Sequence, residues 1–297
     1  MKTIDTAVLR VAYEEHGSPT GAPVVLLHGF PYSPRAFDAV APALAERGHR
    51  VVVPYLRGYG PTRFLSEATL RSGQQAALGA DLRDLIDTLG LRRPIVAGYD
   101  WGGRAACIVA ALWPERIGGL VSVMGYNIQD IARSETPVSA KAEYRLWHQY
   151  YLHTPRGVAG LTADRRGFAR LLWRLWSPGW AFDDATFDAS AAAFDNPDFV
   201  DVVVQSYRHR FGYAAGDPAL EPIEAALARQ PPIGVPSIVL DGAEDGVTPA
   251  KPDSEMRHFT ALVRRQTVAG AGHHLPQETP DAMVQAILDL AGREPAG

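Results

Sequence analysis

Cysteine is nearly absent from this 297-residue chain: Cys107 stands alone, so neither a disulfide framework nor a cysteine-built metal site is available. Its place in the apolar run 104–112 marks it as a small buried hydrophobe rather than a reactive thiol. Long apolar runs are missing too. Eighteen uninterrupted apolar residues occur nowhere, which excludes a membrane-spanning helix. The opening Met1-Lys2-Thr3-Ile4-Asp5-Thr6 carries charge early and has no signal-peptide core, so a cytoplasmic protein is expected. Surplus charge is lacking as well. The formal net charge is −4 without a block of like sign, which recommends neither a nucleic-acid nor a membrane partner. Internal repeats and low-complexity tracts are also missing, which excludes a solenoid.

What is present is an ordinary globular composition, 46% hydrophobic, in a chain long enough for one large α/β domain with an insertion. Short β-like runs at 8–14, 24–27, 51–53 and 95–97 alternate with helical spacing at 37–47 and 74–89. Such alternation predicts an α/β fold with a mostly parallel central sheet flanked by helices. Further strands are expected at 119–124, 237–240 and 265–268, and a last helix at 281–290. The interval 128–232 has no convincing strand and is crowded with aromatic residues. It reads as a helical cap inserted between core segments 1–127 and 233–297, with Pro231-Pro232 as its closing linker.

The run GYDWGG (98–103) follows one of these strands and opens a helix. Small residues flanking one reactive residue at a strand-to-helix turn form a nucleophile elbow, and here Asp100 takes the nucleophile's place. The plainer alternative is an aspartate that merely caps the helix. An elbow enzyme also needs an acid and a histidine later in the chain, in that order. VLDGAEDGVTP supplies Asp245, with Glu244 beside it and Asp130 as a further alternative; GAGHHLPQETP supplies His273. The backbone N–H groups of Phe30, in VVLLHGFP, and of Trp101 can form an oxyanion hole, with His28 shaping that loop. Adjacent His273 and His274 do not make a metal site, because neighbouring side chains diverge and no further ligands recur at suitable spacing. No metal or cofactor is implied.

HGFP, RGYGPT, GYDWGG, the Asp245 loop and Gly272-His273 together resemble the α/β-hydrolase superfamily. An Asp nucleophile followed by Trp resembles its epoxide hydrolase and haloalkane dehalogenase branch, and most closely the epoxide hydrolases. Chemistry agrees independently. A carboxylate attacking an ester carbonyl gives a high-energy anhydride, whereas attack on a saturated carbon gives an ordinary alkyl ester, which water activated by His273 and Asp245 can hydrolyse.

Epoxide opening to a vicinal diol creates an alkoxide that needs a proton donor. The resemblance implies two cap tyrosines, which match best at Tyr151 and Tyr207, with Tyr150 as the alternative to the first. Haloalkane or haloacid dehalogenation is the competing reading. Against it, many haloalkane dehalogenases have Asn where this chain has Phe30; of the two arginines that fluoroacetate-type enzymes carry after the nucleophile, only Arg104 is matched. His148 falls near their halide-contacting His, but Gln149 replaces a Trp. A third reading is a non-catalytic ligand-binding homologue. The expected partner is a small, largely apolar substrate in a pocket lined by His28, Trp147, Tyr150, Tyr151 and Trp173; a homodimer is left open.

Overall fold

The computed structural model describes residues 1–293. Nine strands form one sheet: β1 (Lys2–Asp5), β2 (Leu9–His16), β3 (Ala22–Leu27), β4 (His49–Pro54), β5 (Arg63–Phe64), β6 (Ile95–Gly98), β7 (Gly119–Val123), β8 (Ser237–Gly242) and β9 (Leu262–Val268). Their order is β1-β2-β4-β3-β6-β7-β8-β9, with β5 pairing β2. From β4 onward every neighbour is parallel, while β1, β2 and β5 make an antiparallel edge. The central strands are apolar on both faces, Val24 to Leu27 and Val96 and Ala97 being buried, because helices cover both sides.

Those helices are α1 (Val40–Ala45), α2 (Gln75–Thr88), α3 (Asp100–Leu112), α11 (Leu275–Glu278) and α12 (Pro280–Ala291). Between β7 and β8 the chain forms no strand and runs through α4 (Ala140–Arg145), α5 (Trp147–His153), α6 (Pro155–Ala163), α7 (Arg165–Trp176), α8 (Asp184–Ala191), α9 (Phe199–Arg210) and α10 (Glu221–Leu227). This helical insertion packs onto the ends of β3 and β6: Phe30, just past β3, lies 5.5 Å from the Tyr207 ring and 6.3 Å from those of Trp176 and Phe199.

Periodicity located the buried parallel strands but not the polar edge strands β1 and β5. Predicted helix 37–47 divides into a 3-10 turn at Pro34–Phe37 and a shortened α1. Met124, counted within a strand, adopts φ +69° and ends β7 by turning the chain toward the insertion. No helix among the described residues is long and apolar enough to cross a membrane.

Candidate active site

β6 ends at Gly98, and α3 begins two residues later with Asp100 at φ +52°. A left-handed backbone is costly for a residue with a Cβ, so the neighbourhood must enforce it. Two glycines allow that close packing. A Cβ on Gly102 would fall 2.2 Å from the Leu27 carbonyl oxygen, and one on Gly29 would fall 2.4 Å from Asp100 Oδ1. The loop after β3 therefore closes on the aspartate, and Phe30 N–H donates to Asp100 Oδ1 at 2.7 Å. Oδ2 faces His273 instead.

His273 lies between β9 and α11, and its Nδ1–H donates to Asp245 Oδ2 at 2.6 Å. Asp245 Oδ1 accepts from the backbone N–H groups of Val247 and Thr248 at 2.8 and 2.6 Å, which fixes the carboxylate. On its other side His273 Nε2 stands 3.6 Å from Asp100 Oδ2 and has no hydrogen-bond partner among the described residues. Glu278 braces the loop: Oε2 accepts from Gly272 N–H at 2.9 Å, while Oε1 accepts from His274 N–H at 3.0 Å and from Ser177 Oγ–H at 2.6 Å. Glu244 is exposed, and Asp130 lies 3.6 Å from Arg133 instead of reaching His273. Of the three candidate acids, Asp245 is the one in place.

Burial works against the His273 imidazolium, but the carboxylates of Asp245 and Asp100 outweigh it and raise its pKa to about 10. Burial also opposes ionisation of Asp100; contact with His273, with help from Arg104 and Phe30 N–H, holds its pKa below the ordinary carboxylate value. The resting pair is thus carboxylate and imidazolium. Neutralising Asp100 removes part of what raises His273, so its pKa in Asp100→Asn should fall toward neutrality, as imidazole NMR titration would record. Linkage has the matching sign. A histidine raised above its unfolded value of about 6.5 contributes stability present below that pH and lost as pH climbs toward 10. Asp100→Asn should narrow that window, and an unchanged imidazole titration would contradict the coupling.

A cavity of about 120 Å³ opens over Asp100 and His273. Tyr207, His148, Gln149, Arg104, Arg210, Asn127 and Thr248 contribute most of its wall, with Met124, Leu146, Trp176 and Val247 as the apolar remainder. The expected largely apolar lining is therefore corrected to a polar one. Burial, followed by Arg210, depresses the His148 pKa to about 3, so this imidazole is neutral, and its Nδ1 has no partner among the described residues. Burial raises the Tyr207 phenol well above its usual value, keeping the proton on it.

Several sequence expectations fail here. Tyr151 does not line the cavity; its ring stacks on Phe168, and its hydroxyl lies against Gly160 of α6, 2.2 Å from where a Cβ there would sit. Tyr150 is no substitute, since its hydroxyl donates to Glu143 and its ring meets Phe211. Trp147 packs against Phe168 and Tyr151. Trp173 is buried within the insertion, where its indole N–H donates to Pro31 O at 2.9 Å and pins α7 to the loop after β3. His28 also lies outside the cavity. Its Nε2 accepts from Leu56 N–H at 3.1 Å and its Nδ1–H donates to Gly29 O at 3.0 Å, while burial lowers its pKa to about 4. That neutral tautomer shapes the loop, as expected.

Sequence reasoning missed Arg210 and Glu278. Arg210 follows Tyr207 by three residues on α9 and so shares its face, a spacing that was visible in SYRHR. A larger cavity of about 570 Å³ lies at the opposite end of the sheet, beside Pro23, Arg93 and Pro236, and neither Asp100 nor His273 lines it.

A carboxylate on a strained strand-to-helix turn, faced by a histidine that a second aspartate holds, sets out the elbow and triad order of an α/β hydrolase. Residues 22–279 match the family defined by the alpha/beta hydrolase fold, and the chain belongs to that family. A Klebsiella pneumoniae protein of known crystal structure, provisionally named an epoxide hydrolase, is 46% identical, with a TM-score of 0.95 over 97% of this chain and 96% of that one. Epoxide hydrolase A of Mycobacterium tuberculosis is 28% identical over 99% of this chain and 98% of its own length. A haloalkane dehalogenase of Mycobacterium marinum is 30% identical over 64% of this chain and 62% of its own. The chain is a hydrolase of the epoxide hydrolase and haloalkane dehalogenase branch.

Proposed function

We propose that this protein opens epoxides to vicinal diols through a covalent ester on Asp100. The observation that carries the reading is the placement of Asp100 Oδ2 between a substrate-sized cavity and His273 Nε2, with Oδ1 already on a backbone donor. Oδ2 attacks a ring carbon, a carbon–oxygen bond forms, and the ring carbon–oxygen bond breaks. The leaving alkoxide takes a proton from Tyr207, a cavity phenol that burial keeps protonated.

Esterification removes the negative charge from Asp100 and with it part of what raised His273. The imidazolium then gives up its proton, replacing the one Tyr207 lost, and the neutral imidazole accepts a proton from water as that water attacks the Asp100 carbonyl carbon. Oδ1 carries the developing oxyanion against Phe30 N–H, joined in this proposal by Trp101 N–H. Collapse breaks the bond from the carbonyl carbon to the substrate oxygen; the departing alkoxide takes the proton of the new Asp100 carboxylic acid to give the diol, which leaves an Asp100 carboxylate with one oxygen from water beside the imidazolium. The helical insertion serves as the cap that confines these steps, and binding without turnover is the disfavoured third reading.

Dehalogenation by the same nucleophile is the second reading. Two observations favour it: the cavity presents one tyrosine instead of two, and the buried Trp101 indole N–H has no acceptor among the described residues. A halide needs such donors and no proton. Product analysis on aryl and alkyl epoxides, alongside haloalkanes and fluoroacetate, distinguishes them. Diol release supports the first, halide release supports the second, and turnover confined to carboxylic esters would overturn both. Tyr207→Phe should slow epoxide opening by roughly 100-fold while leaving halide displacement within a few-fold of native, the usual scale of a lost general acid.

A further inference from the structure

The last turn of α7 reaches three loops around Asp100 and His273, all of them distant from it in sequence. A helix leaves its final carbonyls without partners inside the helix, and Pro178 stops α7 from continuing. Those carbonyls are taken up by the core. Trp176 O accepts from Gly246 N–H at 2.9 Å and from His273 N–H at 3.2 Å, so a single carbonyl ties the loop of Asp245 to the loop of His273. Ser177, the next residue, is buried. Its Oγ accepts from His274 N–H at 3.0 Å and donates to Glu278 Oε1 at 2.6 Å. That hydroxyl proton is committed to Glu278, so at the 2.9 Å contact between Ser177 Oγ and His274 Nδ1 the imidazole N–H is the donor.

Together with Glu278, this turn holds three successive N–H groups: Gly272 on Glu278 Oε2, His273 on Trp176 O, and His274 on Ser177 Oγ and Glu278 Oε1. The peptide groups on both sides of the His273 Cα are thereby fixed. Two glycines make the approach possible. A Cβ on Gly246 would fall 2.0 Å from Leu175 O, and one on Gly272 would fall 2.6 Å from Ser177 Oγ. Neither glycine has a positive φ, so it is the close approach of α7, and not a left-handed turn, that requires them. Trp173 adds the third loop through its bond to Pro31 O. The Trp176 ring meanwhile lines the cavity and lies 5.1 Å from the His273 ring.

We propose that Ser177 is a positioning residue for His273, and that the last turn of α7 is a clasp through which the seated insertion sets the imidazole against Asp100. His273 Nε2 stands 3.6 Å from Asp100 Oδ2. On the ester it must reach the Asp100 carbonyl carbon through one water, where a displacement of about 1 Å costs roughly 100-fold in rate. The kinetic half of this inference rests on the proposed Asp100 ester, and the structural half does not.

The structural half is tested without substrate. His273 Nδ1–H, held by Asp245, is followed by proton NMR in the native full chain and in Ser177→Ala, with circular dichroism to check the fold. Exchange of that proton with water should be at least about tenfold faster in the variant, because the loop opens more readily once an anchor is lost. Gly272→Ala, which drives a methyl group against Ser177, should act in the same direction and takes over where Ser177→Ala does not fold. An unchanged exchange rate overturns the clasp.

Kinetics test the other half, on an epoxide that the native protein opens, by following the mass of the Asp100 peptide through a single turnover. Ester formation needs no base, whereas ester hydrolysis does. In Ser177→Ala formation should stay within about twofold of native while decay of the ester slows by at least about tenfold. Decay as fast as in the native protein, or formation and decay slowed in step, overturns the positioning role. If no ester forms in either protein while proton exchange still quickens in Ser177→Ala, the Asp100 reading fails and the clasp stands.

Discussion

Asp100→Ala is expected to abolish turnover, lowering kcat by roughly 10⁴- to 10⁶-fold, the range seen when a covalent nucleophile is removed. Among the described residues no second carboxylate lines the cavity to take over the attack. Ser122, a hydroxyl near α3, is fully buried and donates to Gly125 O at 2.6 Å. The substitution keeps the backbone nitrogen that begins α3 and takes a buried charge out of the site, so the protein should remain folded. Circular dichroism checks the fold, and substrate depletion checks the rate. A residual rate above one-hundredth of native in the folded variant would remove Asp100 from the chemistry.

His273→Gln should give the second large effect, and a different one. Attack by Asp100 needs no base, whereas hydrolysis of the resulting ester does. The variant should therefore react once and stop, releasing no more than one equivalent of product while steady-state kcat drops by roughly 10³-fold or more. Intact-mass measurement should show the protein heavier by one opened substrate, and peptide mapping should place the adduct on Asp100. Loss of the first step along with the second would mean that the imidazolium beside Asp100, at 3.6 Å, is also required for alkylation.

The two variants separate because Asp245 serves only one of these steps. Its Oδ1 is committed to Val247 and Thr248 N–H and its Oδ2 to His273. In the proposed mechanism it orients the base and stabilises the imidazolium, and it does not line the cavity.

The residues whose roles depend on local chain geometry were legible in the sequence. Asp100 needs a strand, a glycine on each side and a helix, and all three are written in consecutive residues. Asp245 and His273 each follow a recognisable strand, so their order and loop positions were enough to bring them together. Phe30 was found through its tight turn after β3. The fold followed for the same reason, since parallel strands buried on both faces read as short apolar runs.

The tyrosines of the helical insertion were not legible in the same way. Tyr150, Tyr151 and Tyr207 all lie on helices, and only the rotation of each helix about its axis decides which phenol faces the nucleophile. On α5 that rotation turns Tyr151 toward Phe168 and Gly160, and presents His148 and Gln149 to the cavity instead. Trp173 illustrates a related difficulty. A tryptophan can line a pocket or bridge two elements, and here its indole N–H finds the Pro31 carbonyl and its ring stacks 5.5 Å from that of Trp180. Arg210 was hidden by expectation more than by physics, because a cavity presumed apolar gave no reason to look one turn past Tyr207.

The central claim is that a carboxylate oxygen of Asp100 becomes covalently bound to substrate and is exchanged for one from water. A single turnover in water enriched with heavy oxygen, with enzyme in excess over an epoxide that it opens, tests it directly. Mass analysis of the peptide containing Asp100 should show a gain of one heavy oxygen, and diol from that first turnover should carry the unlabelled oxygen of the aspartate. Label found in the diol, with Asp100 unchanged, would mean that water attacks the substrate directly and that the ester is never formed.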